Sequence, residues 1–158
     1  MSDLGRYRLR KGLILAFHGC DASVANKVFG TNHHLSSSEN DDDWLGHGVY
    51  FWENNPERAL EWAGKKGSPA VIGAILDLGL CLDLTESVGC KEVKQAHQLL
   101  KDSSKSMPVN RSGPDTKRRY LDCAVIQYAH AIRAAAEPPL YQSAFIDIIT
   151  TPSSTRSN

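Results

Sequence analysis

The chain runs to 158 residues, with 18 Lys+Arg balanced by 18 Asp+Glu, 41% hydrophobic and 23% charged residues. A chain of that size buries roughly 70% of the surface its unfolded form exposes, so a real core forms without staples or metals, and composition excludes disordered, collagenous and coiled-coil classes. A formal net charge of zero leaves no whole-chain basic footprint for gripping a phosphate backbone non-specifically.

The longest apolar stretch, Pro69 to Leu84, is broken by Asp77 and Asp83 and falls short of the roughly 20 apolar residues a membrane span requires. No membrane partner is expected. The basic opening is followed only by the short apolar run Leu13 to Phe17 with no small-residue cleavage site, so the sequence reads as cytoplasmic. Cys20, Cys81, Cys90 and Cys123 contain no C-x-x-C pair and sit in core-like or helical segments, which reads as reduced structural thiols. The organisation expected is one domain over residues 1–149 and a flexible tail over 150–158.

Gly12 to Phe17 reads as a short buried strand that stops at His18-Gly19-Cys20. Asp21 is a suitable N-cap for a helix over Ala22 to Phe29, with Val24, Ala25 and Val28 turned inward and Gly30 placed to end it. Thr31 to Asp43, rich in Ser and Asp, reads as a long surface loop of the sort that carries function. Trp44 to Trp52 brings four aromatics around Gly46 and Gly48 and reads as a strand. Asn55 and Pro56 then cap and start a helix whose apolar face is Ala59, Leu60, Trp62 and Ala63, ended by Gly64 and Gly67.

Val71 to Leu84 reads as one long strand or two, bent near Gly79, and Thr85 as the cap of a helix reaching Leu100. After a loop over Asp102 to Pro114, Asp115 is expected to cap a helix with Tyr120, Leu121, Ala124, Val125, Tyr128, Ala129 and Ile132 as its inner stripe and Lys117, Arg118 and Arg119 outside. Leu140 to Ile149 offers a last strand. The mixture of helices and strands predicts an α+β domain.

Several residue groups invite chemistry. His33 and His34, with His18 and Cys20, are good zinc ligands by type, but no spacing completes a four-ligand set, so no metal is expected. Asp41 to Asp43 lacks the alternating ligands and the glycine of a calcium loop. Lys117, Arg118 and Arg119 beside Lys105 and Arg111 make a basic patch that reads as a solvated helix start. The glycine signatures of Rossmann, P-loop and α/β-hydrolase sites are absent from the sequence. Gly46-His47-Gly48-Val49-Tyr50-Phe51 stands out, because glycines admit a ligand to the backbone and the following residues aim an aromatic ring at it.

Phe17-His18-Gly19, then Gly46-His47-Gly48-Val49-Tyr50-Phe51, then a helix with Ala59 and Trp62, resembles in order and spacing the ADP-ribosyltransferase fold shared by diphtheria toxin and the poly(ADP-ribose) polymerases. The likeness covers the first half of the chain, and Trp44 to Ala63 is also similar to uncharacterised bacterial proteins placed near that superfamily. It implies a split, mostly antiparallel β-sheet with flanking helices that clamps NAD. His18 would bond a ribose hydroxyl, and the Gly19 backbone would read the nicotinamide carboxamide. Gly48 would admit NAD to the backbone, Tyr50 would stack on the nicotinamide, and Trp62 would form a second aromatic wall. The helix that carries Trp62 is one residue longer than the polymerase spacing, and Ala59 would stand where a carboxamide-bonding serine is common.

The same resemblance implies a glutamate on a late strand, whose negative charge stabilises the cation that develops on the ribose as nicotinamide leaves. In Tyr141-Gln142-Ser143-Ala144-Phe145-Ile146, Ala144 stands at that place. Gln142 is the substitute stabiliser, with Glu137 and Asp147 as alternatives. The activity implied is transfer of ADP-ribose from NAD to a macromolecular acceptor, protein or nucleic acid, with the loop Thr31 to Asp43 near that acceptor. A bacterial toxin held by an antitoxin would fit this chemistry. A chain without the carboxylate would instead be an NAD- or ADP-ribose-binding module.

Overall fold

The computed structural model describes residues 12–31, 33–65, 67–79, 81–113, 117–136 and 147–149. These form an α+β structure whose elements fall into two compact units. Among the described residues no helix is long and apolar enough to cross a membrane.

The first unit is built on an antiparallel sheet of β1 (Leu13–Asp21), β2 (Trp52–Glu53), β3 (Pro69–Asp77) and β6 (Asp147–Ile149), in the order β2-β1-β3-β6. β1 runs past Phe17, where the sequence suggested it would stop, because His18, Gly19 and Cys20 continue the ladder opposite Ile72, Val71 and Ala70. β3 ends at Asp77, whose Oδ1 accepts from the Gly79 amide at 3.0 Å, and the chain turns through Gly79 at φ +49°. Only glycine holds that conformation cheaply. The expected bend is present, but the strand does not resume toward Leu84.

Two helices flank this sheet. α1 (Ala22–Thr31) starts after Asp21, whose Oδ1 accepts from the Ser23 amide at 2.9 Å, and runs one residue beyond Gly30. Its Ala25 and Val28 pack with Cys20 and Ile72 in an apolar cluster. Val24, expected inward, is 37% exposed. It lies at the outer edge of the stripe, roughly 100° around the helix from Ala25 and about 40° beyond Val28.

α2 (Pro56–Ala63) begins as the sequence implied, with the Asn55 side chain accepting from the Arg58 amide at 2.9 Å and Pro56 in the first turn. Its buried face is narrower than expected. Ala59 and Ala63 are 0% exposed, whereas Leu60 and Trp62 are each 49% exposed. The reason is close approach: a Cβ built on Gly19 would lie 2.0 Å from the Ala59 carbonyl oxygen. At that separation only alanine fits beneath the helix, and the bulky residues turn out.

The second unit contains α3 (Ser87–Ser103), the two-stranded β4 (Arg111–Ser112) and β5 (Lys117–Arg118), α4 (Tyr120–Ala136), and the segment 36–48. α3 and α4 share a core of Ala96, Val125 and Ala129, flanked by Leu82, Val93 and Tyr128. Thr85 does not cap α3. Its amide and hydroxyl both bond Asp83 Oδ1, and Glu86 takes the cap position without a side-chain cap bond. The Asp83 backbone folds onto Gly89, where a Cβ would meet its carbonyl at 1.9 Å.

Lys117 and Arg118 form a strand rather than a helix start, with Arg111 opposite Arg118. The cap of α4 comes from upstream. Asn110 Oδ1 accepts from the amides of Leu121 at 2.9 Å and Asp122 at 3.4 Å, while its Nδ2 donates to Asp122 Oδ1 at 2.7 Å. Asp115, expected in that role, lies outside the described residues, as does the segment 137–146 before β6.

Candidate functional site

β1 positions the first motif, and strand alternation decides which way each of its groups points. The Leu15 carbonyl accepts from the Asn54 amide at 3.0 Å beyond the end of β2, and the Ala22 amide donates to the Ser68 carbonyl at 2.7 Å beyond the start of β3. Backbone groups alternate along a strand. Leu15, Phe17 and Gly19 therefore present N–H and C=O toward β2, and Ala16, His18 and Cys20 present theirs toward β3.

β2 pairs with β1 only at Ala16↔Glu53 and Phe17↔Trp52. Continuing that register would set Phe51 opposite His18 and Tyr50 opposite Gly19. The ladder instead stops, and Val49 to Phe51 are irregular. The Gly19 N–H and C=O thus sit side by side on a stretch of β1 edge that β2 does not cover. The sequence reading put Tyr50 on the strand, but it lies just before it.

His18 spans the missing rung. Its Nδ1 lies 2.8 Å from the Tyr50 carbonyl oxygen, and its ring centroid is 5.6 Å from that of Phe51. A carbonyl can only accept, so Nδ1 donates to it. A side chain from one motif thereby holds the main chain of the other, 32 residues away.

The remaining predicted residues are distributed as follows. The hydrogen that a Cβ would replace on Gly19 points at α2, so the His18 side chain, one residue back, belongs to the opposite sheet face. Ala59 is wholly buried against Gly19, where its carbonyl fills the space a side chain would need. Trp62 stands half exposed on α2, its ring 5.9 Å from Trp52 and 4.4 Å beneath Lys65 Nζ. His18 and Trp62 therefore do not share a face; the place both motifs border is the stretch of β1 at Gly19 that β2 does not pair, where Gly19 itself is buried. Gly48 uses its N–H and C=O on Ser38, at 3.0 and 2.8 Å. Gln142, Ala144 and Glu137 lie outside the described residues.

Other candidates resolve into local structure. Asp43 accepts from the Asn40 amide and side chain and braces its turn, while Asp42 lies 3.9 Å from Arg118 Nε. Gly46 takes φ +80°, and a Cβ there would press on Gln127 and Ile126 of α4. His33 and His34 are exposed. Among the described residues no group of three or more His, Cys, Asp or Glu could hold a metal ion.

Sequence reasoning missed Phe51, Trp52 and Lys65 as neighbours of the site. The signal was present in the pairing register, since Phe51 falls opposite His18 once Phe17 is set against Trp52, but register cannot be read before strands are paired. No protein-family model, no curated protein and no solved structure matches the chain.

Proposed function

We propose that the chain is an NAD-dependent ADP-ribosyltransferase, with the split antiparallel sheet of that superfamily, that cleaves the nicotinamide–ribose bond and passes ADP-ribose to a macromolecular acceptor. The observation that carries the reading is the bond from His18 Nδ1 to the Tyr50 carbonyl, which joins the two motifs at the uncovered edge of β1.

The chemistry at that edge suits the substrate. A primary carboxamide has one acceptor oxygen and a donor NH₂, and the adjacent Gly19 N–H and C=O offer the complementary pair. In the neutral tautomer that donates from Nδ1, the His18 ring would offer Nε2 as an acceptor to a ribose hydroxyl. Tyr50 supplies the stacking ring, with Trp62 as the second aromatic group near the edge. Held orientation of this kind lowers the barrier to leaving-group departure. Gln142 would steady the developing ribose cation through its amide dipole, and the lack of a full negative charge would cost about 100- to 1,000-fold in rate.

That missing charge supports a second reading, in which the same edge holds NAD or ADP-ribose without turnover, as Ala144 at the expected glutamate position suggests. Incubation with labelled NAD separates the two. Nicotinamide release that is abolished in His18→Ala and Tyr50→Ala supports the transferase, and saturable binding without release supports the module. NAD at 100 times its dissociation constant should stabilise the fold by about 2.7 kcal/mol. Absence of any thermal shift at millimolar NAD rejects both readings.

A further inference from the structure

The second unit carries an open groove of about 580 Å³, within the roughly 300–1,000 Å³ typical of small-molecule sites. One wall is α3, where Val93, Lys94 and His97 fall at the spacing that shares a helix face. The floor is α4, through Val125 and Ile126, which are 5% and 6% exposed. Trp44 and Leu45 line the groove as well, 54% and 56% exposed. From Cys90 to His97 the α3 wall extends seven residues, roughly 10 Å at 1.5 Å per residue.

The polar groups of this groove are not in balance. Asp122 is answered inside the unit, by Asn110 Nδ2 at 2.7 Å and by Arg119 Nε at 3.8 Å. Arg119 in turn lies over the Trp44 ring at 5.4 Å. Among the described residues Lys94 and His97 enter no hydrogen bond or ion pair. The groove therefore offers an apolar body and two donors with no protein acceptor between them.

We propose that this groove binds a medium-length amphipathic monocarboxylate, its apolar chain against Val93, Val125, Ile126 and Trp44 and its carboxylate on Lys94 Nζ and the His97 ring N–H. Two donors match two carboxylate oxygens, and a chain of about eight carbons matches the apolar wall. The ligand is an anion because the groove's own acid is already satisfied. The site shares no residue with the β1 edge and stands whether or not NAD binds there.

Calorimetric titration of the full chain with octanoate, octan-1-ol and octyltrimethylammonium tests the assignment. Octanoate is expected to bind one-to-one, about three- to tenfold tighter than the alcohol, with the cation weaker still. In Lys94→Gln/His97→Gln, two substitutions at the groove's edge, octanoate should fall to the level of the alcohol, with a melting temperature matching the parent chain showing that the fold is intact. Equal affinity for all three probes, no octanoate binding, or unchanged affinity in the folded double variant overturns the proposal. An acidic amphipathic helical peptide that displaces octanoate at lower concentration also overturns it, in favour of helix docking.

Discussion

Replacing Gly19 by alanine separates two reasons for a glycine at that position. If the residue is small only so that a ligand can reach the backbone, Gly19→Ala should lose NAD and melt like the parent chain. The structure gives a second reason. The new Cβ would sit 2.0 Å from the Ala59 carbonyl oxygen, 2.9 Å from its carbon and 3.3 Å from the Ala63 amide nitrogen, all backbone atoms that no side-chain rotation can move away. Real Cβ contacts do not fall below 3.0 Å, so β1 and α2 must part by about 1 Å around two fully buried alanines. Overpacking of this kind costs about 1–3 kcal/mol, and a rigid obstacle places this case near about 3 kcal/mol. At about 2–4 °C per kcal/mol for a chain of this length, the melting temperature should drop about 6–12 °C. Gly30→Ala is the control. It lies in α1 with nothing within 4 Å of its Cβ, and relief of the helical glycine penalty should raise stability by about 0.5–1 kcal/mol. Thermal unfolding followed by circular dichroism reads both. An unshifted melting temperature in Gly19→Ala would falsify the strand–helix contact.

Three further outcomes are expected. Asn110→Ala removes the acceptor for the Leu121 and Asp122 amides and the donor to Asp122, and urea midpoints should show a loss of about 1–2 kcal/mol; a loss below about 0.3 kcal/mol contradicts the capping role. Alkylation of the native chain should reach exposed Cys90 first and Cys123 last, because burial above all, and then the negative charges of Asp43, Asp41 and Asp42, push the Cys123 thiol up; mass spectrometry that finds the two modified together refutes this. Desolvation and then Arg133 hold His130 below the ordinary histidine value of 6.5. The fold thus favours neutral imidazole, so stability is complete above about pH 6.5 and falls as pH drops toward the folded value. His130 keeps much of its surface exposed, so the slope should be shallow, and His130→Gln should flatten it between about pH 5 and about pH 8.

The elements most legible in the sequence were those fixed by local chemistry. Asn55 and Pro56 begin α2 because a side-chain acceptor and a missing donor both suit a helix start, whatever lies around them. The stripe of α4 was visible because Val125 and Ala129 recur at helical spacing and do meet a core. What stayed hidden depends on partners distant in sequence. Asn110 serves α4 across 11 residues, and no motif marks a cap at that remove. Leu60 and Trp62 read as core by type and spacing, yet a helix that approaches a glycine in a strand can bury only alanine. In the candidate site, His18, Gly19 and Tyr50 stood out as residue types, but the way they meet did not. The sequence suggested a stacking ring beside an imidazole, whereas the bond observed runs from imidazole to main chain.

That bond has a consequence for the ladder. A strand edge normally pairs as far as chain allows, since unmet backbone donors are costly. Tyr50 falls at the register position opposite Gly19, and pairing would need its carbonyl for the Gly19 amide. The His18 ring takes that carbonyl at 2.8 Å instead, a side chain competing with a ladder rung. Exchange of amide protons reads the result directly. His18 and Cys20 amides point to β3 and should exchange slowly, while the Gly19 amide between them should exchange faster and become protected when NAD is added. In His18→Ala the Tyr50 carbonyl is released, the rung can close, and Gly19 should slow even without ligand as NAD affinity falls. A Gly19 amide as slow as its neighbours in the parent chain, or unchanged in His18→Ala, would mean that the edge is not held open by the imidazole.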